Sequence, residues 1–129
     1  MTRRRHEDGA AAVEFALVVP LLLIILLAII SLGWVFNQQL TLTQAAREGA
    51  RIIAVEPDDA AAIAEAEARI NGMVGAGATI TYPTTCSESV EDDEITVRVE
   101  APIEDLTGWL AAIGAQTTLA GVGSMRCGG

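Results

Sequence analysis

From Phe15 to Phe36 the chain reads FALVVPLLLIILLAIISLGWVF, 22 residues without a charged side chain. At 1.5 Å per residue a helix of that length covers about 33 Å, close to the thickness of a bilayer's hydrocarbon core. Backbone polar groups in hydrocarbon must be satisfied within the segment, so the run predicts one transmembrane helix, with everything else arranged around it. A cleaved secretory signal also starts with basic residues, but its apolar stretch is shorter, about 7 to 15 residues, and ends at small residues. Here the run leaves through Ser31, Gly33, Trp34 and Phe36, and Trp34 suits a membrane interface. Pro20 falls inside it, and membrane helices tolerate proline, so the expectation is a bend and not a stop.

Arg3, Arg4 and Arg5 precede the run, and the next basic residue is Arg47. The positive-inside rule therefore puts the N-terminus in the cytoplasm and residues 37–129 outside it. This divides the chain into a basic cytoplasmic leader (1–9), a transmembrane helix (10–36) and an extracytoplasmic domain (37–129). That last part holds 14 acids against 5 arginines and no lysine, within a net charge of −9. Such a field disfavours nucleic acid, whose phosphates need the opposite sign.

Chemistry at a site is equally thin. Two tryptophans, one tyrosine and two phenylalanines cannot line an aromatic pocket, so no small-molecule substrate or cofactor is expected. The single histidine, His6, lies in the leader, and no paired-carboxylate, cysteine–histidine or metal-spaced set follows the membrane run. The chain does not read as an enzyme. The acidic tract ESVEDDE (88–94) has five acids in seven residues but lacks the glycine and ligand spacing of an EF-hand, and reads as a solvated loop.

Beyond the membrane run, Asn37–Val55 contains no proline, and Leu40, Ala46, Ala50 and Ile53 recur at helical spacing, so the helix should continue out of the bilayer as one rod. Pro57 would end it near Val55. Asp58 or Asp59 would cap a second helix with a stripe of Ile63, Ala66, Ile70 and Met73, closed by Gly72 or by Gly75 and Gly77. ATITYP (78–83) and EITVRVEAP (94–102) read as antiparallel strands, the second with Ile95, Val97 and Val99 inward against Thr96, Arg98 and Glu100. IEDLTGWLAAIGA (103–115) suggests a short helix with Leu106, Trp109, Leu110 and Ile113 on one side and Trp109 as a core anchor. QTTLAGVGSMRC (116–127) suggests a last strand weakened by its glycines. The expected fold is α+β: a long N-terminal transmembrane helix continuing into an extracytoplasmic rod, packed on a small antiparallel sheet with one or two short helices.

Cys86 and Cys127 are an even count in a segment expected to lie where disulfides persist. Bridged, they would close a loop worth about 4 kcal/mol by the chain-entropy model. The other reading is a pair of buried free thiols.

One acid breaks the pattern. Glu14 stands at the entrance of the apolar run, and a carboxylate deep in a bilayer costs about 2.5–3.5 kcal/mol on insertion scales, so such a group is a functional candidate by default. Its bland reading is a side chain that reaches the headgroups. Its setting is GAAAVEF, Gly9 to Phe15, which resembles the processing site of type IV prepilin-like proteins: a glycine, four further residues, a glutamate and an aromatic. That resemblance implies a cut after Gly9 by a membrane prepilin peptidase, with Ala10 as the new N-terminus and Glu14 as the fifth residue of the mature chain.

More closely, the chain is similar to the TadE-like family, minor pseudopilins of tight-adherence (Flp-type) pilus systems. The likeness rests on GAAAVEFALVVPLLLIIL with its proline, on QAAREGAR at Gln44–Arg51, and on a short α+β ectodomain ending in SMRC. It implies a structural role in pilus assembly, with the prepilin peptidase, other pilins or pseudopilins and assembly-platform proteins as partners. A new amine at Ala10 would lie one helical turn from Glu14, and a charge pair in low dielectric is worth far more than one in water. The same carboxylate could pair with a neighbouring subunit's amine and set axial register. In QAAREGAR, Arg47, Glu48 and Arg51 also read as a solvated face, and Ala45, Ala46, Gly49 and Ala50 as a surface for close packing of the rod on its own sheet. The alternative function is a single-pass membrane-anchored binding or sensor module whose acidic domain meets a basic partner.

Overall fold

The computed structural model describes residues 4–56, 59–86, 93–103, 106–114 and 118–128. The expectations for Arg3, Pro57, Asp58 and residues 88–92, and for the side chains of Arg4, Arg5, His6 and Trp109, lie outside what is described.

Helix α1 (Arg4–Val55) is 52 residues long and runs on through Pro20. It is longer than the expected rod because the leader from Arg4 joins it. Helix α2 (Ala60–Val74) begins at Asp59, whose Oδ1 accepts a 2.8 Å hydrogen bond from the Ala61 amide, and ends at Gly75 in a positive-φ conformation. Strands β1 (Thr79–Thr84), β2 (Glu94–Pro102) and β3 (Thr118–Arg126) form one antiparallel sheet in the order β1-β2-β3. Between Thr81 and Thr84 the β1–β2 register slips by one residue around Tyr82 and Pro83. A proline has no amide hydrogen for the ladder, and an edge strand accommodates it with a bulge.

One sheet face carries Ile95, Val97 and Val99, all essentially unexposed, and packs on the two helices. The inward alternation of β2 is as expected, and Arg98 points to solvent on the opposite face. The core is built from small side chains: Leu42, Ala45, Ala46, Ala50, Ile53 and Ala54 from α1, and Ala66 and Ile70 from α2.

Three expectations need correction. In α1 it is Leu42 that is buried, while Leu40 is 62% exposed. The apolar residues there do not fix the phase of the stripe, because the sheet determines which flank is covered. In α2 the buried line is Ala62, Ala66 and Ile70, and Ile63 and Met73 lie at its rim. The expected helix at 103–115 shrinks to one turn, α3 (Trp109–Ala112), with Leu106 and Ile113 exposed and Leu110 half-buried. Gly108 and Gly114, both at positive φ, bracket it and limit its length.

The glycines that weakened β3 as a strand prove to be the reason it fits. Gly121 and Gly123 pair with Val99 and Val97, so both face the helices. A Cβ on Gly121 would collide with the Leu42 carbonyl, and one on Gly123 with the Arg47 amide. The strand therefore lies directly on the backbone of α1, which no larger residue at either position permits. Gln39 fixes the approach by donating from Nε2 to the Ala120 carbonyl at 2.8 Å.

At the far end, Cys86 and Cys127 form a disulfide with Cα atoms 5.8 Å apart, which settles the choice between bridge and free thiols. Beside it, the Gly128 amide donates to the Ala54 carbonyl at 2.9 Å. That carbonyl is among the last four of α1 and has no partner within the helix, so the chain end caps the rod.

Candidate assembly surface on the long helix

Along α1 a covered stripe runs through Ser31, Val35, Gln38, Gln39, Leu42, Ala45, Ala46, Gly49, Ala50 and Ile53. N-terminal to Ser31 the stripe stops. From Gly9 to Ile30 no residue is buried, and Phe15, Leu17, Val18, Leu21 to Leu27, Ile29 and Ile30 are all exposed. A helix that is apolar on every side with nothing against it is matched to lipid or to other apolar helices, not to water.

The residues expected at the processing site lie on this bare segment. Gly9, Ala10, Glu14 and Phe15 are all exposed, with Phe15 at 71%. The Gly9–Ala10 bond is part of continuous helix. Any peptidase acting there must first unwind the preceding turns, and Gly9, less favourable in a helix than alanine by about 1 kcal/mol, is where unwinding costs least. Glu14 and Phe15 are sequence neighbours and so point to different flanks of the helix.

QAAREGAR divides by face. Ala45, Ala46 and Ala50 are fully buried and Gly49 is buried with them, whereas Gln44, Arg47 and Arg51 face outward. A Cβ on Gly49 would come within 2.6 Å of Ile70 Cδ1, so this glycine admits α2. Arg51 donates from Nε and Nη2 to both oxygens of Glu48 at 3.1 and 3.0 Å, and this hydrogen bonding holds the Glu48 carboxyl below its usual range. The small residues thus pack the rod on its own sheet and second helix, the structural reading anticipated for them.

Elsewhere, Tyr82 donates to Glu67 Oε1 at 3.0 Å, and burial followed by that carboxylate pushes its phenol up to about 12. Among the described residues no group of three His, Cys, Asp or Glu side chains converges on a metal-sized site. A shallow groove of about 270 Å³ lies between Asn37, Thr41, Met73, Gly77 and Pro102, and among the described residues no charged side chain lines it.

One contact was not anticipated. Ser31, 2% exposed although it lies within the apolar run, shares a 3.1 Å hydrogen bond with Thr107 in the turn before α3. No spacing rule links residues so far apart in the chain; the only local sign was a hydroxyl among aliphatic residues.

The architecture is one N-terminal helix long and apolar enough to cross a membrane, whose second half carries a small α+β unit. Residues 9–51 match the family model described as TadE-like protein, 43 of the 129 residues, taking in the bare helix and QAAREGAR. The resemblance read from the sequence is borne out over that third of the chain, and it points to a function connected with tight-adherence pili. No curated protein and no solved structure gives a match.

Proposed function

We propose that this protein is a non-enzymatic, single-pass pseudopilin of a tight-adherence pilus system, inserted with its N-terminus in the cytoplasm and processed after Gly9. The observation that carries the reading is the bare apolar half of α1 with Glu14 at its entrance, inside the segment that matches the family. In such a protein the exposed helix is a lateral interface, occupied by lipid before assembly and by neighbouring helices after it. Once the Gly9–Ala10 bond is cut, the Ala10 ammonium lies one turn below Glu14, and the carboxylate pairs with it or with the amine of an adjacent subunit. Either arrangement compensates a charge that the hydrocarbon penalises and fixes how far one helix slides along the next.

Its partners on this reading are the membrane, the prepilin peptidase, other pilins or pseudopilins and the assembly platform. This reading asks for no catalytic centre in the acidic ectodomain.

Replacement of Glu14 separates this reading from a plain membrane anchor. Glu14→Ala should insert at the wild-type level, since removing a carboxylate favours the bilayer, and yet fail to support pili in cells that depend on the protein. An anchored binding or sensor module would tolerate the change, so normal piliation with Glu14→Ala would sink the assembly role.

A further inference from the structure

The charge-free run Phe15–Phe36 and the ectodomain overlap. The described packing of the ectodomain reaches down α1 to Ser31, where Thr107 is hydrogen-bonded, yet the run continues to Phe36. Five residues of helix are about 7.5 Å. If Phe36 marks the outer edge of the hydrocarbon, the turn holding Thr107 sits about that far below it.

The helix could slide outward to lift this turn clear, placing the hydrocarbon at residues 9–30. In the chain before processing, that would carry Glu14 about a turn and a half into the low-dielectric region with no amine to compensate it, and would bring Glu7 and Asp8 to its edge. Leaving the helix in place keeps Glu14 outside; the ionisable residues nearest the turn in sequence, Glu104 and Asp105, precede it, and none occurs from Leu106 to Met125. The turn itself reads LTGWLAAIG, and two of its large apolar side chains face outward: Leu106 is 59% exposed and Ile113 is 65% exposed. The Thr107 hydroxyl is bonded to Ser31. Both hydroxyls thus enter the interface already partnered, which is the condition for placing them there.

We infer that the turn Leu106–Gly114 is a lipid-contacting foot, which seats the ectodomain in the acyl–headgroup boundary of the outer leaflet and is clamped to α1 by the Ser31–Thr107 bond. The occupant is lipid, because the surface is continuous with the bare helix and, from Leu106 to Gly114, carries no charge. The depth of about 7.5 Å falls within the roughly 5–10 Å over which interfacial apolar segments bury themselves. The foot restrains the tilt and height of the ectodomain on its helix, and it must leave lipid when a subunit is extracted. This inference rests on α1 spanning the membrane.

The test uses the full chain in phosphatidylcholine vesicles. Because Cys86 and Cys127 are joined, a single introduced cysteine is the only free thiol and takes an environment-sensitive fluorophore without reduction. Three exposed sites are compared: Ile113→Cys on the foot, Leu26→Cys in the span and Glu65→Cys on α2. At position 113 the expectation is strong quenching by nitroxides at shallow acyl positions and loss of iodide quenching to the level found at position 26. Position 65 should show the reverse. If position 113 behaves like 65 while 26 is quenched from lipid, the foot is wrong and the span stands. If position 26 is itself open to iodide, the membrane reading fails and the foot with it. If position 113 is shielded from iodide without lipid quenching, and dilution of protein in lipid restores iodide access, a second copy covers the turn and the lipid assignment is overturned.

Discussion

Gly121 and Gly123 show what a single missing Cβ can decide. They leave room for the carbonyl of Leu42 and the amide of Arg47, groups that cannot move without bending the helix. Gly123→Ala should therefore destabilise the ectodomain by about 1–3 kcal/mol, the usual range for overpacking against a rigid neighbour. Val122→Ala, on the outward face of the same strand, should stay within about 0.5 kcal/mol. Gly49→Ala belongs between them: it meets only the flexible end of Ile70 and gains about 1 kcal/mol in helix propensity. Denaturant melts of the detergent-solubilised chain would rank the three. Neither strand glycine was legible in this role, since what excludes a side chain lies some 80 residues earlier in the sequence. Their spacing of two was the available clue, because it puts both on one face of a strand.

Tyr82 makes a prediction of its own. The phenol is raised from 10 to about 12 in the fold by burial and by Glu67. A raised folded value means that the neutral form is favoured, so the stability it contributes is complete below the unfolded value and is lost as pH rises from about 10 to about 12. The chain has one tyrosine, so phenolate absorbance follows this group alone. Its midpoint should lie well above that of the unfolded chain, and Glu67→Gln should lower it only part of the way, because burial is the larger cause.

Among the elements, β2 was the most legible, at Glu94–Pro102 in both readings, because strict alternation with one buried face leaves a single register. The end of α1 and the cap of α2 were legible for a similarly local reason, a helix-stop signal followed by an aspartate able to reach a first-turn amide. The phase of the α1 stripe and the length of α3 were not. Both depend on what packs against them: the sheet decides in favour of Leu42 over Leu40, and the glycines at 108 and 114 cut α3 to one turn. The disulfide joins the end of β3 to the strand region before the acidic tract, with a sequence separation of 41. Replacing both cysteines by serine should cost about 4 kcal/mol by the chain-entropy model, and the melt should show it as a lower midpoint with a steeper slope, because the unfolded chain loses its cross-link. Because the Cys127 amide also donates to the Asp93 carbonyl and the Gly128 amide to Ala54, the C-terminal strand should fray first in the reduced protein, visible as faster amide exchange there.

For the molecule as a whole, one helix serves two environments. Its second half is clad by α2 and the sheet through alanines and glycines, and its first half is bare leucine, isoleucine and valine. The fold accounts for QAAREGAR without reference to any partner. The family match and the bare helix together support assembly, with Glu14 as the residue on which register would depend. The candidate site was read from a glycine five residues before an acid at the mouth of an apolar run, taken together with the basic leader and QAAREGAR; what sequence could not convey was that the Gly9–Ala10 bond lies within helix. Mass spectrometry of the N-terminus of the native membrane protein tests the central claim most directly. The account predicts a chain beginning at Ala10, and a mature protein that still carries residues 1–9 would contradict it.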